Sequence, residues 1–361
     1  TGCGSAPQSE GKAPASSVEG AAWIRDATDY SGVRFFHFTG AIGEFYMPEI
    51  MGPGGALFDY DQDGDLDIFL LQGAPIDKTP PERSQFPPPD GQPLTHRLFR
   101  NEMIPSGSLK FTDVTKAAGL AVTSFGMVAA TGDYDNDGFP DLFVTSYGRN
   151  YLFHNNGNGT FSDRTAPGME DERWSTSAAF ADIDNDGDLD LFFTNYVAFS
   201  PANNKKCFSP VGLVDYCTPK AYQPLPDRLF RNDGNGRFTD ISAASRTGTV
   251  RGPGLGVVAF DFDRDGWLDL YVANDGAANF LWRNRRDGTF EEVALENGVA
   301  YGFDGIEQAG MGVDAADYDN SGKDALIVTN LSGENNNLYL QDQTGIFTDE
   351  VFSSGLAETG Y

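Results

Sequence analysis

Asp182-Ile-Asp-Asn-Asp-Gly-Asp-Leu-Asp190 places Asp182, Asp184, Asp186 and Asp190 at relative positions 1, 3, 5 and 9, with Asp188 at position 7 and Gly187 at position 6. Carboxylates this dense repel one another in a compact loop, and a hard divalent cation removes that cost. Ca²⁺ takes six to eight oxygen ligands in irregular geometry, and a glycine at position 6 allows the sharp turn around it. The pattern recurs with Asp59, Asp61, Asp63, Asp65 and Asp67, with Asp133, Asp135, Asp137 and Asp141, and with Asp261, Asp263, Asp265 and Asp269. A fifth copy is degenerate: Asp317, Asp319 and Ser321 hold positions 1, 3 and 5, Asp324 falls one place early, and position 9 is Ala325. The expectation is Ca²⁺ as cofactor, bound strongly at four loops and more weakly at the fifth, with position 7 contributing its backbone carbonyl. Solvated acidic turns are the plainer reading of one such loop, and four full copies argue against it.

An EF-hand needs a bidentate Glu at position 12 and flanking helices. Position 12 is instead Leu70, Val144, Phe193, Val272 and Val328 in turn. The flanks, such as Asp141-Leu-Phe-Val-Thr and Asp190-Leu-Phe-Phe-Thr, are short apolar runs that read as buried strands. Residues 126–164 show a longer unit: a strand into the acidic loop, a strand out of it, a third at Asn150-Tyr-Leu-Phe-His-Asn, an Asn-Gly turn, and a fourth at Thr160-Phe-Ser-Asp-Arg. The third and fourth strands recur at Arg97-Leu-Phe-Arg-Asn, Arg228-Leu-Phe-Arg-Asn, Asn279-Phe-Leu-Trp-Arg-Asn and Asn337-Leu-Tyr-Leu-Gln with their partners. Asn-Gly and Asp-Gly turns mark hairpins. The fold class is therefore all-β, a β-propeller of four-stranded blades, five of them visible, with a basic repeat of about fifty residues.

Two blades carry insertions between their second and third strands. Residues 73–96 are Pro-rich, and residues 197–227 hold Cys207 and Cys217. Insertions at matching places should emerge on one face and build a partner surface there. Phe199, Phe208, Tyr216 and Tyr222 are the candidate contacts. A disulfide between Cys207 and Cys217 would close a short loop, worth about 2–3 kcal/mol in chain entropy, and suits an exported chain.

The chain has 361 residues and a net charge of −28, with 53 acidic against 25 basic residues. Nothing forms the basic stripe that nucleic acid requires. No apolar run reaches the length of about eighteen residues that spans a membrane. Thr1-Gly2-Cys3-Gly4-Ser5 has the form of a bacterial lipoprotein signal end, with Cys3 as the lipidated residue. The Gly, Ala, Ser and Pro of residues 4–20 form a flexible tether with a reach of about 20–25 Å. Residues 1–22 are therefore separated from a propeller at 23–361.

The acidic loops, the Phe125-Gly126 strand start and the Leu-Phe-x-Asn…Gly-x-Phe hairpins resemble the FG-GAP/VCBS repeats of integrin α-subunit-like propellers. Trp23-Ile-Arg-Asp-Ala-Thr, Ser31-Gly-Val-Arg-Phe-Phe-His37, Met47-Pro-Glu49 and Cys217-Thr-Pro further resemble bacterial ASPIC/UnbV-type proteins. The resemblance implies an exported, calcium-binding propeller of about seven blades, and it assigns no chemistry. Trp23-Ile-Arg-Asp-Ala-Thr reads as a lone fourth strand. Ser354-Gly-Leu-Ala matches the stretch that precedes a new blade at Ala118-Gly-Leu-Ala. These suggest an unclosed ring, with about two further blades, on the order of one hundred residues, supplied by continuation or by another chain.

Of three histidines, His154 lies where other repeats carry Arg100, Arg231, Arg283 and Leu340 and reads as a blade residue. His96 ends a Pro-rich insertion and is expected at the surface. His37, in the opening segment, is the best functional candidate among them. Gly-x-Ser-x-Gly, His-Glu-x-x-His and CxxCH motifs do not occur. The sequence favours a lipid-anchored binding module at the bacterial envelope, facing periplasm or cell exterior, with a protein or glycan partner. An enzyme acting on polysaccharide, or an accessory subunit of a membrane-anchored complex, is the alternative.

Overall fold

The structure, a computed structural model, describes residues 25–359 apart from Asn235. Cys3, the tether, and Trp23 lie outside the described residues, and residues 25–28 form no strand. Five four-stranded antiparallel sheets follow one another along the chain. The first comprises Gly55–Phe58, Asp67–Leu70, Arg97–Asn101 and Phe111–Asp113. The second comprises Phe125–Gly132, Asp141–Tyr147, Tyr151–Asn155 and Phe161–Asp163. The third comprises Ser175–Ala181, Asp190–Asn195, Arg228–Asn232 and Phe238–Asp240. The fourth comprises Gly254–Phe260, Asp269–Asn274, Phe280–Asn284 and Phe290–Glu292. The fifth comprises Gly310–Ala316, Ala325–Asn330, Asn337–Gln341 and Phe347–Asp349.

Each sheet is a meander of neighbouring strands, because every connection is a tight loop or returns to the edge it left. The second strands of the third and fourth sheets are buried at every residue, Asp190–Asn195 and Asp269–Asn274, which fits sheets covered on both faces. The first strands pack side by side in chain order, from the first sheet to the fifth. Five radially arranged sheets with inner first strands give a propeller-like architecture. Met127, Val128, Thr176, Leu255 and Met311 from these inner strands, with Ile50, Met51 and Gly52, line a small apolar cavity of about 250 Å³.

Between sheets the core is aromatic. Phe143 of the second sheet meets Phe193 of the third at a tilt, and within the third sheet Phe193 stacks on Phe230, with ring centroids 5.4 and 5.8 Å apart. Such pairs add about 0.5–1.5 kcal/mol beyond the area they bury. The fifth sheet is less covered: Ile327 is exposed on it and Tyr318 in its acidic loop, as is Leu57 on the first sheet.

The meander puts the acidic loops, which join first to second strands, at one end of the molecule. The insertions join second to third strands and so lie at the other. Ala74 and Ile76 of the first insertion and Phe199, Cys207, Cys217 and Tyr222 of the second share one cluster with Tyr46, Met47 and Trp174. Both insertions therefore meet at one end of the molecule, as the repeat register requires.

Candidate metal loops and insertion face

Each acidic loop is folded by its own first carboxylate. Asp59 accepts the backbone N–H groups of Asp63 and Gly64 at 3.1 and 3.0 Å. Asp133, Asp182 and Asp261 do the same for their positions 5 and 6 at 2.8–3.2 Å. The turn demands left-handed backbone at positions 4 and 6. Gln62, Asn136, Asn185, Arg264 and Asn320 hold φ of 57–59°, and Gly64, Gly138, Gly187, Gly266 and Gly322 hold 78–96°. Glycine at position 6 meets that need without strain.

The position-9 carboxylate is the buried keystone. Asp190 accepts the N–H of Ile183 at 2.9 Å and that of Asn232, on the third strand, at 2.7 Å. Asp67, Asp141 and Asp269 make the same pair of bonds. Burial pushes Asp67, Asp141, Asp190 and Asp269 up to about 7. It also raises the position-3 groups Asp61, Asp135, Asp184 and Asp263, which the neighbouring position-5 carboxylate raises further. An anion held where burial and like charge both oppose it is the arrangement a cation relieves.

Three further oxygens point the same way. Asp61 Oδ1, Asp135 Oδ1 and Asp184 Oδ1 are sealed from solvent and accept no hydrogen bond from the protein. The structure brings ligand atoms together in four loops: Asp59, Asp61 and Asp67; Asp133, Asp135 and Asp137; Asp182, Asp184 and Asp190; and Asp261, Asp263 and Asp265. Among the described residues it assembles no such group from Asp317, Asp319, Ser321 and Asp324. Asp319 there is exposed, and a hydrogen bond from Ser321 holds its carboxyl low. The position-7 side chains are engaged elsewhere, since Asp65 Oδ2 accepts the Ile104 N–H at 2.7 Å and Asp188 Oδ1 accepts from Asn136 at 2.8 Å. Asp63 and Asp186 remain at position 5, each with an oxygen accepting a position-7 amide, at 3.2 and 2.9 Å. All-oxygen donor sets in flexible loops fit Ca²⁺.

The loops are stitched to one another. The side-chain amide of Gln62 donates to Gly138 O, that of Asn136 to Gly187 O and that of Asn185 to Gly266 O. From the other side, Asn155 donates to Tyr60 O, Asn232 to Tyr134 O and Asn284 to Ile183 O, each at 2.7 Å. Every acidic loop from the first to the fourth is thus braced by an amide from a neighbouring sheet. Sequence pattern placed these asparagines at strand ends without indicating that they bridge sheets.

At the opposite end, Cys207 and Cys217 are joined in a disulfide. It closes a hairpin of Cys207–Phe208 and Val214–Asp215. Phe208, Val211 and Leu213 project into solvent, 62%, 81% and 69% exposed, with Val214 beside them. Phe199 and Tyr222, expected as partner contacts, are buried instead. Phe199 packs against Tyr46, Tyr147, Trp174 and Tyr222 with centroids 5.6–6.0 Å apart, so both rings support the insertion from beneath. Tyr216 is half-buried; its hydroxyl donates to Glu49 Oε2 at 3.0 Å and its ring lies 5.1 Å from Phe45.

The histidines depart most from expectation. His96 is fully buried rather than at the surface. Its Nδ1 accepts the Gln72 N–H at 3.0 Å and its Nε2 lies 2.9 Å from Ser124 Oγ, and burial pushes it down to about 4. It carries the chain from the insertion back into the first sheet, where a buried neutral imidazole replaces missing ladder bonds. His37 is half-buried beside Gly73, with burial lowering its pKa. His154 reaches the second acidic loop, lying 3.2 Å from Asp135 and 3.3 Å from Asp141. Its substitution for the arginine of three other repeats was the available signal.

A family model for FG-GAP-like repeats matches residues 133–193, 216–272 and 261–328. Cartilage acidic protein 1 of Xenopus tropicalis is 37% identical over 76 residues, and that of Homo sapiens 40% over 76 residues. Each match covers 21% of this chain and 11% of the relative, so the chain spans about a tenth of the length of these curated relatives. Among solved structures, an Agrocybe aegerita lectin specific for non-reducing terminal N-acetylglucosamine is 16% identical, with 81% of this chain and 63% of that chain covered at a TM-score of 0.41. The V. cholerae biofilm matrix protein Bap1 is 13% identical, with 83% and 39% covered at a TM-score of 0.42. Superpositions this loose carry nothing about ligands. The matched segments fall on the acidic loops and strands of the second to fifth sheets, so this all-β chain of four-stranded antiparallel sheets is similar to FG-GAP-like repeats over those residues.

Proposed function

We propose that this protein is a calcium-stabilised binding module of the bacterial envelope, of ASPIC/UnbV type, which presents its insertion face to a protein partner. The observation that carries the reading is the disulfide-closed hairpin with Phe208, Val211, Leu213 and Val214 exposed together. Exposed apolar side chains clustered on a stapled projection are the usual signature of a contact site. Aliphatic side chains favour a protein over a glycan, which would be met by flat aromatic rings, and glycan binding is the second outcome of the test.

Calcium occupies the other end. Ligands from the four full loops would hold one ion each, and the fifth loop binds more weakly. The amide bridges between loops then transmit the rigidity of each site to the next sheet. The disulfide fits an oxidising compartment, and Cys3 would supply the lipid anchor. Mass spectrometry of the protein purified from membranes tests the anchor through a diacylglyceryl adduct on Cys3.

Binding is tested with the double substitution Phe208→Ser and Leu213→Ser. The unsubstituted protein should capture a defined envelope protein in calcium, and the variant should lose that capture at an unchanged melting temperature. Retained capture, or binding only to arrayed glycans, would move the contact surface elsewhere.

A further inference from the structure

Among the described residues, His154 is the imidazole that an acidic loop meets. It lies on the third strand of the second sheet, facing the loop of Asp133–Asp141. The corresponding side chains in the first, third and fourth sheets are Arg100, Arg231 and Arg283, each a fixed positive charge that offsets part of the rise burial gives the nearby position-3 carboxylate. An arginine donates hydrogen bonds and offers no lone pair to a metal. An imidazole does.

The imidazole stands within ion-pair distance of two carboxylates, a spacing that ligands of one cation also have. His154 Nδ1 lies 3.2 Å from Asp135 Oδ2 and 3.3 Å from Asp141 Oδ1. Nδ1 is sealed from solvent and has no hydrogen-bond partner, and the same holds for Asp135 Oδ1. Donor atoms bound to one cation at roughly 2.0–2.2 Å stand about 3.0–3.5 Å apart. Asp135, Asp141 and His154 offer atoms that all lie within 4.8 Å of one another. Asp141 is completely buried and is fixed by the N–H groups of Tyr134 and Asn155 at 3.1 and 2.7 Å. The Tyr134 ring stands edge-on to the imidazole at 6.3 Å. His154 keeps 18% of its side chain exposed, which leaves an approach for an ion.

We infer that Asp135, Asp141 and His154 form a site for a borderline divalent cation of the zinc class, distinct in its chemistry from the all-oxygen sites of the other loops. One imidazole and two carboxylates suit Zn²⁺ or Co²⁺, and Ca²⁺ takes oxygen ligands. At this second loop the inference replaces calcium as the ion held by Asp135 and Asp141; it rests on the position of His154 and stands whether or not the other three full loops take calcium.

The test uses the whole chain, titrated with Zn²⁺ by calorimetry in excess calcium, with Co²⁺ absorption as a second readout. His154→Arg restores the residue of the other repeats and serves as the folded control; His154→Ala removes the donor. The expected result is one Zn²⁺ per chain, with affinity reduced at least about tenfold in both variants, and a Co²⁺ spectrum that disappears with them. Melting temperatures in calcium should stay within a few degrees of the unsubstituted protein. Equal Zn²⁺ affinity in all three proteins, or no Zn²⁺ binding by the unsubstituted one, would overturn the assignment and leave the imidazole as a packing residue.

Discussion

Asp190 shows how one residue serves both fold and site. Its two backbone hydrogen bonds tie the loop to the third strand, while burial opposes its charge. Asp190→Asn keeps an acceptor and removes the charge. With calcium present the variant should lose one bound ion and about 2–4 kcal/mol of the stabilisation that ligand binding supplies. In excess EGTA it should melt at or above the temperature of the unsubstituted protein, because the burden of a buried anion is gone. Calcium titration paired with melting curves measures both, and a variant equally destabilised in both buffers would contradict the metal role. His96 gives a pH dependence of definite sign. Folded, it protonates at about 4; unfolded, near its ordinary value of 6.5. Between those values the unfolded chain binds more protons, so stability is complete above about pH 6.5 and falls as pH drops toward 4, by about 3 kcal/mol from this residue. The difference in stability between the unsubstituted protein and His96→Gln, followed by urea unfolding, should narrow across that window. A pH-independent difference would show that the imidazole is not held neutral.

At the scale of elements, the sheets and acidic loops were legible because their signals are local. Period-two apolar runs, Asn-Gly turns and the position-6 glycines each follow from a few neighbouring residues. What was not legible depends on which sheet lies beside which. Phe199 and Tyr222 read as exposed because they sit in an irregular insertion, yet Tyr46 of the opening segment, Tyr147 of the second sheet and Trp174 beside the third pack in one cluster with them. His96 was misplaced for the same reason, and the bridging role of Asn155, Asn232 and Asn284 appears only once loops of adjacent sheets are in contact. Trp174 anchors this cluster at 1% exposure. Trp174→Ala should cost about 3–5 kcal/mol by chemical denaturation. Replacing both Cys207 and Cys217 with serine should cost only about 2–3 kcal/mol, since the bridge closes a short loop. The hairpin bearing Phe208 should then exchange its amide hydrogens faster, while the strands of the third sheet keep their protection.

At the scale of the whole molecule, the two ends have separate tasks. The acidic loops and their amide bridges hold neighbouring sheets in register at one end, and the insertions build a projecting apolar surface at the other. A net charge of −28 repels itself in a folded chain, and bound cations would offset part of it. If metal sites stitch the sheets together, stability must be linked to calcium. The direct test is a pair of thermal melts of the same chain, one in excess Ca²⁺ and one in excess EGTA. The melting temperature should fall markedly in EGTA and return when calcium is restored; superimposable curves in the two buffers would contradict the account.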